Sequence, residues 1–357
     1  MENKPIRINL SSFDLIKGAS IVLVILAHMC AFHYDLEQVK ILTPLYFIVF
    51  MSHSVLMPLF FVISGFGLKE RTPKKMLKMT FRSMIVPYLW VAVIFVPTFA
   101  VATYLGYGSL SWGIELSNRY LLAFLLGIPK EGHIIGGIEV RHITAVWFFL
   151  ALFISFNLLN LIIKIKKATH RVILVILCIL TGYFLALHDI NFFCIPQGLL
   201  AVGCCYVGYL LKKYELLDKL ATNIWPYLIL IPIFLIEGFW GNMDLAAGHF
   251  KLGLLDYILS TCASVLILLV GLKLDRFDSK VLDGIRFIGI YSYWIMCIHA
   301  VEETCMQWWL FVEIMPNQLM AFFVELLLKI IIITSGCVIL KKISKAKHRR
   351  RITQHVQ

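Results

Sequence analysis

Residues 13–33 read FDLIKGASIVLVILAHMCAFH, an apolar run with Lys17 and His28 inside it. A run of about 20 apolar residues can cross a bilayer as a helix. Lys17 and His28 are 11 residues apart, which is close to three turns at about 3.6 residues per turn, so both side chains share one helix face. An ionisable side chain inside a span costs free energy unless it is compensated, and it predicts a functional site. His28 is therefore the leading candidate for a functional side chain.

The composition is that of an integral membrane protein. The chain has 357 residues, of which 60% are hydrophobic and 15% are charged, and its mean hydropathy is +0.84. Ordinary soluble domains are far less apolar, so this class is excluded. The formal net charge of +12 is concentrated in short connectors and in the tail, about 341–357, which indicates a basic cytoplasmic end rather than a nucleic-acid site. The nine cysteines show no metal-ligand spacing, so we expect no metal site.

The apolar runs predict an all-α protein with about ten transmembrane helices in one domain over 1–357. A shorter apolar stretch at 117–128 predicts a re-entrant or interfacial helix. The ten predicted spans are 13–33, 44–68, 84–106, 144–163, 171–188, 191–211, 224–240, 254–272, 287–310 and 318–340.

Basic residues predict the orientation of these spans. Lysines and arginines follow the second, fourth, sixth and eighth spans, whereas the alternate loops contain few of them. Because short loops rich in lysine and arginine stay on the cytoplasmic side, we expect both termini to be cytoplasmic. This orientation places Lys17 near the cytoplasmic face and His28 toward the outer half of the membrane. The loop at about 107–143 is then the sizeable outward loop, and we expect acceptor contacts there.

Further polar side chains lie in the second and ninth predicted spans. His53 precedes the kink predicted at Pro58. Ser292 and His299 are seven residues apart on one helix face, and Glu303 follows His299 by four residues, where it can orient the imidazole. Their predicted depth matches that of His28, which indicates a shared polar cavity. An interfacial polar cluster at a span end is the alternative.

Two other charged pairs follow helical spacing. Asp14 precedes Lys17 by three residues and can pair with it, either as part of a site or as an interfacial ion pair that reaches the headgroups. Glu325 and Lys329 in the tenth span are four residues apart, and we expect them to neutralise each other.

Six motifs in order resemble the membrane acyltransferase 3 family, especially its branch of fucose 4-O-acetylases and surface-glycan O-acetyltransferases. Many members have arginine at the position of Lys17, and histidine often stands where this chain has Leu56, with His53 one turn earlier. The motifs are Asp14-x-x-Lys17-Gly18-x9-His28, Met57-Pro58-Leu59-Phe60-Phe61-x-Ile63-Ser64-Gly65, Arg82-x4-Pro87-Tyr88-Leu89, Val146-Trp147-Phe148-Phe149-Leu150-Ala151-Leu152, Gly208-Tyr209-Leu210-Leu211-Lys212-Lys213 and Ile288-Gly289-x-x-Ser292-x6-His299.

The resemblance implies an O-acyltransferase, usually an O-acetyltransferase, that moves an acyl group from cytoplasmic acetyl-CoA or another acyl-CoA to a hydroxyl of a cell-surface glycan or lipid-linked sugar. It implies a multi-pass protein of the bacterial cell membrane. We expect no bound cofactor, since acetyl-CoA is the donor substrate. The expected partners are the acceptor, the bilayer and a glycan synthesis or export machinery, with no nucleic acid.

The same resemblance implies roles for individual residues. A histidine with an ordinary pKa of about 6.5 can act as general base on a sugar hydroxyl or carry the acyl group, and His28 is the candidate, with His299 as a second catalytic residue. Lys17 and Arg82 are expected to hold CoA phosphates. The residues expected to line the substrate site are Asp14, His53, Ser64, Ser292 and Glu303.

Two other classes of protein fit the sequence. A transporter or flippase that exports a polysaccharide or amino acid would use intramembrane histidines such as His28 and His299 as pathway or proton-relay groups. Such proteins often contain inverted repeats, which this sequence does not show. A scaffold for a glycan assembly machine would need no intramembrane histidine. Consumption of acetyl-CoA that depends on His28 separates an enzyme from both.

Overall fold

Helices account for nearly all regular structure in the described residues, so the predicted all-α class is confirmed. The computed structural model describes residue 8 and residues 10–33, 43–308 and 313–355. Its α-helices are α1 (Asp14–His33), α2 (Pro44–Phe50), α3 (Met57–Gly67), α4 (Pro73–Thr80), α5 (Val86–Tyr107), α6 (Leu110–Leu126), α7 (Trp147–Ile162), α8 (Ala168–Leu187), α9 (Ile195–Lys213), α10 (Leu216–Thr222), α11 (Trp225–Trp240), α12 (Leu254–Leu274), α13 (Lys280–Cys305) and α14 (Gln318–His355).

Short elements connect or extend these helices. Strands β1 and β2 form one antiparallel hairpin, and β3 and β4 form another. Their bounds are His133–Ile135 for β1, Ile138–Val140 for β2, Met243–Asp244 for β3 and His249–Phe250 for β4. Single 3-10 turns occupy Leu10–Phe13, Thr144–Val146 and Phe192–Cys194, and π-helical turns occupy Met51–Leu56 and Phe81–Ile85.

Eight helical segments of the described chain are long and apolar enough to cross a membrane. α10 and α11 form a pair bent by 86°, which makes a ninth candidate if the pair is one span. The predicted span 13–33 forms α1, whose 20 residues cover about 30 Å along the helix axis, but it is not among the eight. A multi-pass architecture is therefore established, whereas ten spans and cytoplasmic termini stay predictions.

The predicted short helix at 117–128 begins earlier and is longer in the structure. α6 starts at Leu110, where the Ser109 hydroxyl accepts a hydrogen bond from the Trp112 backbone N–H. It ends at Leu126 and is capped by Gly127, whose φ of 62° lies in the left-handed region that favours glycine. The hairpin of β1 and β2 follows. The predicted basic tail is also helical, since α14 continues to His355.

Pro58 explains the irregular turn in the second span. A proline inside a helix removes one N–H donor, and its ring crowds the carbonyl four residues earlier, here that of Ser54. The structure widens the helix into a π-helical turn over Met51–Leu56 before α3 resumes. The Ser54 hydroxyl hydrogen-bonds to both the carbonyl oxygen (3.2 Å) and the N–H (3.0 Å) of Met243 on β3. His53 lies in this turn, and such turns are frequent at functional sites.

Glycines allow α1 and α13 to approach with their backbones in contact. A Cβ atom on Gly18 would overlap the Ile285 carbonyl oxygen, and a Cβ atom on Gly289 would overlap the Asp14 carbonyl oxygen. Small residues allow this close approach between membrane helices, whose association depends on packing rather than on exclusion of water. The contact sets the position of α1 relative to α13.

We predict that Gly289→Ala separates α1 from α13 and lowers both the melting temperature in detergent and the amount of protein in the membrane. Gly284→Ala is the matched control, because it lies on the same helix and a Cβ atom there meets nothing within 4 Å. Thermal unfolding followed by size-exclusion fluorescence measures the difference. Equal stability of the two variants would show that the backbone contact does not hold these helices together.

Candidate active site

The two predicted catalytic histidines meet inside the helix bundle. His28 on α1 and His299 on α13 place Nδ1 and Nε2, respectively, 3.0 Å apart. Their rings are stacked, with centroids 5.1 Å apart and planes inclined by 28°. His299 is fully buried, whereas His28 is partly exposed. Residues 271 positions apart in sequence therefore form one contact, as their predicted depth indicates.

Each histidine has its own glutamate partner. Glu303 Oε1 lies 2.8 Å from His28 Nδ1, and Glu302 Oε1 lies 2.7 Å from His299 Nδ1. The expectation that Glu303 orients His299 is only partly met, because its Oε2 is 3.7 Å from His299 Nε2. Glu302 follows His299 by three residues and is directed at the other ring nitrogen, whereas Glu303 reaches across to α1.

A buried cation supports Glu302. Lys329 on α14 is 1% exposed, and its Nζ lies 2.9 and 3.0 Å from the two carboxylate oxygens of Glu302. The expected pair with Glu325 is present but longer, at 3.4 Å. Trp308 is fully buried and donates from Nε1 to Glu302 Oε2 at 2.9 Å, with Lys329 Nζ over its ring. The sequence analysis did not identify Trp308 or this network, although a lysine inside a span is itself a signal.

The partners indicate where the imidazole protons lie. A carboxylate only accepts hydrogen bonds, so His299 Nδ1 carries a proton and donates the hydrogen bond to Glu302. In neutral His299, Nε2 then has a lone pair. His28 Nδ1 faces both Glu303 and this lone pair, so it also carries a proton. In neutral His28 the second nitrogen, Nε2, is then unprotonated and can accept a proton from another molecule. This is the arrangement of a histidine base oriented by a carboxylate.

A cavity of about 190 Å³ opens beside the histidine pair. His53 lines it, as the sequence predicts for a substrate-lining residue, together with two polar residues that the sequence did not identify, His142 and Asp244. His142 comes from the loop between α6 and α7, and Asp244 comes from β3. The lining residues are Ile21, Val24, His28, Ser52, His53, Met57, Pro129, His142, Thr144, Ala145, Trp147, Asp244, Ala246, Met296, His299 and Glu303.

Five of the predicted site residues do not line this cavity, and one of them, Arg82, lies in a separate groove. Asp14 and Lys17 form an ion pair of 2.7 Å near the start of α1. Lys17 lies about 16 Å from His28 along the helix axis, given a rise of about 1.5 Å per residue. Ser64 on α3 and Ser292 on α13 are partly buried. Both helices supply other residues to the cavity wall, but these two serines lie outside it. The structure thus brings together His28, His53, His299 and Glu303, and their roles stay predictions.

Arg82 lies in an open groove lined by four basic side chains. The groove has a volume of about 510 Å³ and is formed by the connector before α4, by α4 itself and by the π-helical turn that follows it. Tyr293 on α13 donates from its hydroxyl to the Ser83 carbonyl oxygen at 2.7 Å, which ties the edge of the groove to the helix that carries His299. The lining residues are Arg71, Lys75, Lys78, Met79, Arg82 and Ser83.

The loop between α6 and α7 contributes a compact charged cluster beside the cavity. Glu131 Oε1 lies 3.3 Å from His142 Nδ1 and 3.4 Å from an Arg141 guanidinium nitrogen. Its contact with His142, helped by Arg141, lowers the pKa of the Glu131 carboxyl to about 2. Glu131 is therefore ionised at neutral pH, and it balances the charge of Arg141.

The histidine pair and Glu303 also include donor atoms that a metal ion could use. The ligating atoms of His28, His299 and Glu303 lie within 4.8 Å of one another, and two histidines with one carboxylate are ligands that zinc accepts. In the structure, His28 Nδ1 lies at hydrogen-bonding distance from both Glu303 Oε1 (2.8 Å) and His299 Nε2 (3.0 Å). The expectation of no metal site stays a prediction.

Comparison with known proteins places this site in a family. The family model described as an acyltransferase domain, the acyltransferase 3 domain, matches residues 10–342. The chain belongs to the acyltransferase 3 family. No curated protein matches the chain, and no solved structure matches it.

The match shows that the protein is a membrane acyltransferase. The matched residues include α1, α13 and the part of α14 that carries Lys329, so they contain every residue of the histidine network. The acyltransferase 3 domain and the multi-pass helices together establish the family that the sequence motifs resemble.

We predict that Lys329→Met destabilises the acyltransferase by about 3–5 kcal/mol, because it leaves the buried Glu302 carboxylate without its cation. The double variant Lys329→Met/Glu302→Gln should be more stable than Lys329→Met, since it removes both charges. Unfolding in detergent measures both, and the exposed Lys280→Met is the control. Wild-type stability of Lys329→Met would show that the ion pair does not support the network.

Proposed function

We propose that this acyltransferase moves an acyl group, usually acetyl, from cytoplasmic acyl-CoA to a hydroxyl of a cell-surface glycan or lipid-linked sugar. The single observation that carries the proposal is the ordered contact of Glu303, His28 and His299 at a cavity inside a membrane acyltransferase. The same proposal places the protein in the bacterial cell membrane, with the bilayer and a glycan synthesis or export machinery as partners.

His28 is the proposed base. Its Nε2 takes the proton of the acceptor hydroxyl as the hydroxyl oxygen attacks the thioester carbonyl carbon. The C–S bond then breaks, and the imidazolium passes the proton to the CoA thiolate. Glu303 stabilises the imidazolium that forms in between, as the carboxylate does in a Ser-His-Asp triad. The same geometry suits transfer in two steps, in which His28 first takes the acyl group and CoA leaves before the acceptor attacks.

His299 is the proposed second catalytic residue because it faces His28 Nδ1. With its own Nδ1 held by Glu302, it offers only the Nε2 lone pair toward His28. This contact restricts rotation of the His28 ring and disfavours loss of the Nδ1 proton. His53 and Glu303 would contact the substrates from the cavity wall. Three further residues are proposed to line the path of the substrates between the donor site and the acceptor site, namely Asp14, Ser64 and Ser292.

The basic groove is the proposed binding site for the phosphates of the donor. Four cationic side chains there can form charge-assisted hydrogen bonds with phosphate oxygens. Arg82 lies in this groove, and Lys17 lies on the α1 face that leads to His28. The acyl end of the donor has to cover the distance from the basic groove to the cavity. Acyl-CoA is a substrate in this proposal, and no bound cofactor is needed.

Family membership favours this function over a transporter or a scaffold, since the matched domain is that of an acyltransferase. A transporter would use the same histidines as proton-relay groups. A transporter would move a glycan without consuming acyl-CoA. Measuring the consumption of acyl-CoA therefore separates the transporter from the acyltransferase.

We predict that His28→Ala lowers the rate of acyl transfer by about 100-fold to 10,000-fold, the usual contribution of a general base, without lowering the amount of protein in the membrane. Transfer is measured with labelled acetyl-CoA and surface glycans extracted from cells that lack the protein. His170→Ala is the control, because this histidine is exposed at the start of α8. Full activity of His28→Ala would refute the proposed mechanism.

We predict that Arg82→Ala raises the KM for acetyl-CoA about tenfold, since a hydrogen bond to a charged group contributes about 1.5–3 kcal/mol. The kcat and the KM for the glycan should stay within about twofold of the wild-type values, because Arg82 does not line the catalytic cavity. Lys166→Ala, an exposed basic residue outside the groove, is the matched control. An unchanged KM for acetyl-CoA would remove Arg82 from the donor site.

A further inference from the structure

A second cavity adjoins the catalytic one on the side of the loop between α6 and α7. Its volume is about 360 Å³, and it shares Glu303 and His142 with the cavity that contains the histidine pair. The other walls come from α5, α6 and the segment after α13. We call it the aromatic chamber, and its lining residues are Phe99, Thr103, Tyr107, Trp112, Leu116, Tyr120, Glu131, Arg141, His142, Glu303, Thr304, Gln307 and Trp308.

The catalytic cavity is smaller than the pockets that usually hold whole small molecules. Pockets that hold whole small molecules have volumes of about 300–1,000 Å³. The catalytic cavity, at about 190 Å³, is below this range, so it holds the reacting groups and little more. The aromatic chamber, at about 360 Å³, is inside the range and touches the catalytic cavity at the carboxylate that orients His28. The remainder of an acceptor bound at His28 can extend into it.

Aromatic rings form much of the chamber wall. Trp112 and Tyr107 meet edge to face with their centroids 4.6 Å apart, and Tyr120 and Phe99 are also 4.6 Å apart. Trp112 is 40% exposed, so part of its ring is available for contact. The C–H bonds on one face of a pyranose ring carry partial positive charge, and they pack well against the negative face of an aromatic ring.

Gln307 provides an unsatisfied polar group in the same wall. Its side chain is 7% exposed, and its Nε2 donates to Thr103 Oγ1 at 3.2 Å. Its Oε1 is buried with no hydrogen-bond partner among the described residues. The backbone φ of Gln307 is 47°, in the left-handed region that disfavours a side chain. A buried acceptor without a donor is costly, and together with a strained backbone it indicates a position kept for a ligand.

The charges around the chamber favour a neutral ligand. Arg141 and Glu131 approach each other at 3.4 Å, and Glu303 is paired with His28, so these charges have partners within the protein. The groups left to a ligand are the Gln307 acceptor and the exposed aromatic faces. These match the hydroxyl groups and the C–H face of an uncharged sugar ring.

We propose that the aromatic chamber binds a second, neutral pyranose ring of the acceptor, next to the sugar that is acylated at His28. Trp112 provides the stacking face, and Gln307 Oε1 accepts a hydrogen bond from a sugar hydroxyl. This inference rests on the proposed function and adds to it that the acceptor is an oligosaccharide chain rather than a single sugar.

The test compares Trp112→Ala and Gln307→Gly with wild type in a transfer assay that uses acetyl-CoA and surface glycans extracted from cells lacking the protein. Gln307→Gly suits the left-handed backbone, so loss of function through misfolding is avoided. Trp240→Ala is the matched control, because Trp240 is an exposed tryptophan at a helix end that lines neither cavity. Melting temperature and membrane abundance are measured for every variant.

Both chamber variants should raise the KM for the glycan about tenfold, which corresponds to about 1.4 kcal/mol of lost binding. Their kcat and their KM for acetyl-CoA should stay within about twofold of wild type, a split that a purely structural role would not produce. An unchanged glycan KM in both variants, or a fall in kcat alone, overturns the chamber as an acceptor site. Absence of any transfer by the wild-type protein would instead overturn the proposed function.

Discussion

The site depends on the backbone contact between α1 and α13, because His28 and His299 lie on these two helices and nothing local in the sequence joins them. Gly18 and Gly289 face each other's helices at positions where a methyl group has no room. The helices are thereby held close enough for a distance of 3.0 Å between the imidazole nitrogens. α14 adds Lys329 from outside this pair, so three separate helices converge on one group of polar side chains.

Electrostatics explain why this group is stable inside a membrane protein. Glu302 and Lys329 are almost fully buried, and each compensates the charge of the other. Glu302 holds one nitrogen of His299, and Glu303 holds one nitrogen of His28, so each imidazole has a defined donor and acceptor side. Buried polar groups that are fully hydrogen-bonded specify a single geometry, which is the requirement for a base that must meet a hydroxyl at short distance.

Much of the site could be predicted from the sequence, since a polar residue in an apolar run is conspicuous and membrane depth follows from charge in the loops. His28, His53, His299 and Glu303 were identified in this way, and the structure brings them to one cavity. The role of Lys329 could not be predicted, because its spacing from Glu325 satisfies a helical pairing rule while its closer partner lies on another helix. His142 lies in a loop and Asp244 in the two-residue strand β3, and neither segment has a periodicity that relates a residue to the core.

The most direct test of the central claim is a double-mutant cycle on the rate of glycan acylation with His28→Ala, Glu303→Gln and the variant that carries both changes. If Glu303 acts through His28, the double variant is no slower than His28→Ala alone, because residues that work as a unit have strongly non-additive effects. If the two losses instead multiply, Glu303 and His28 act independently, and the account of an oriented histidine base is wrong.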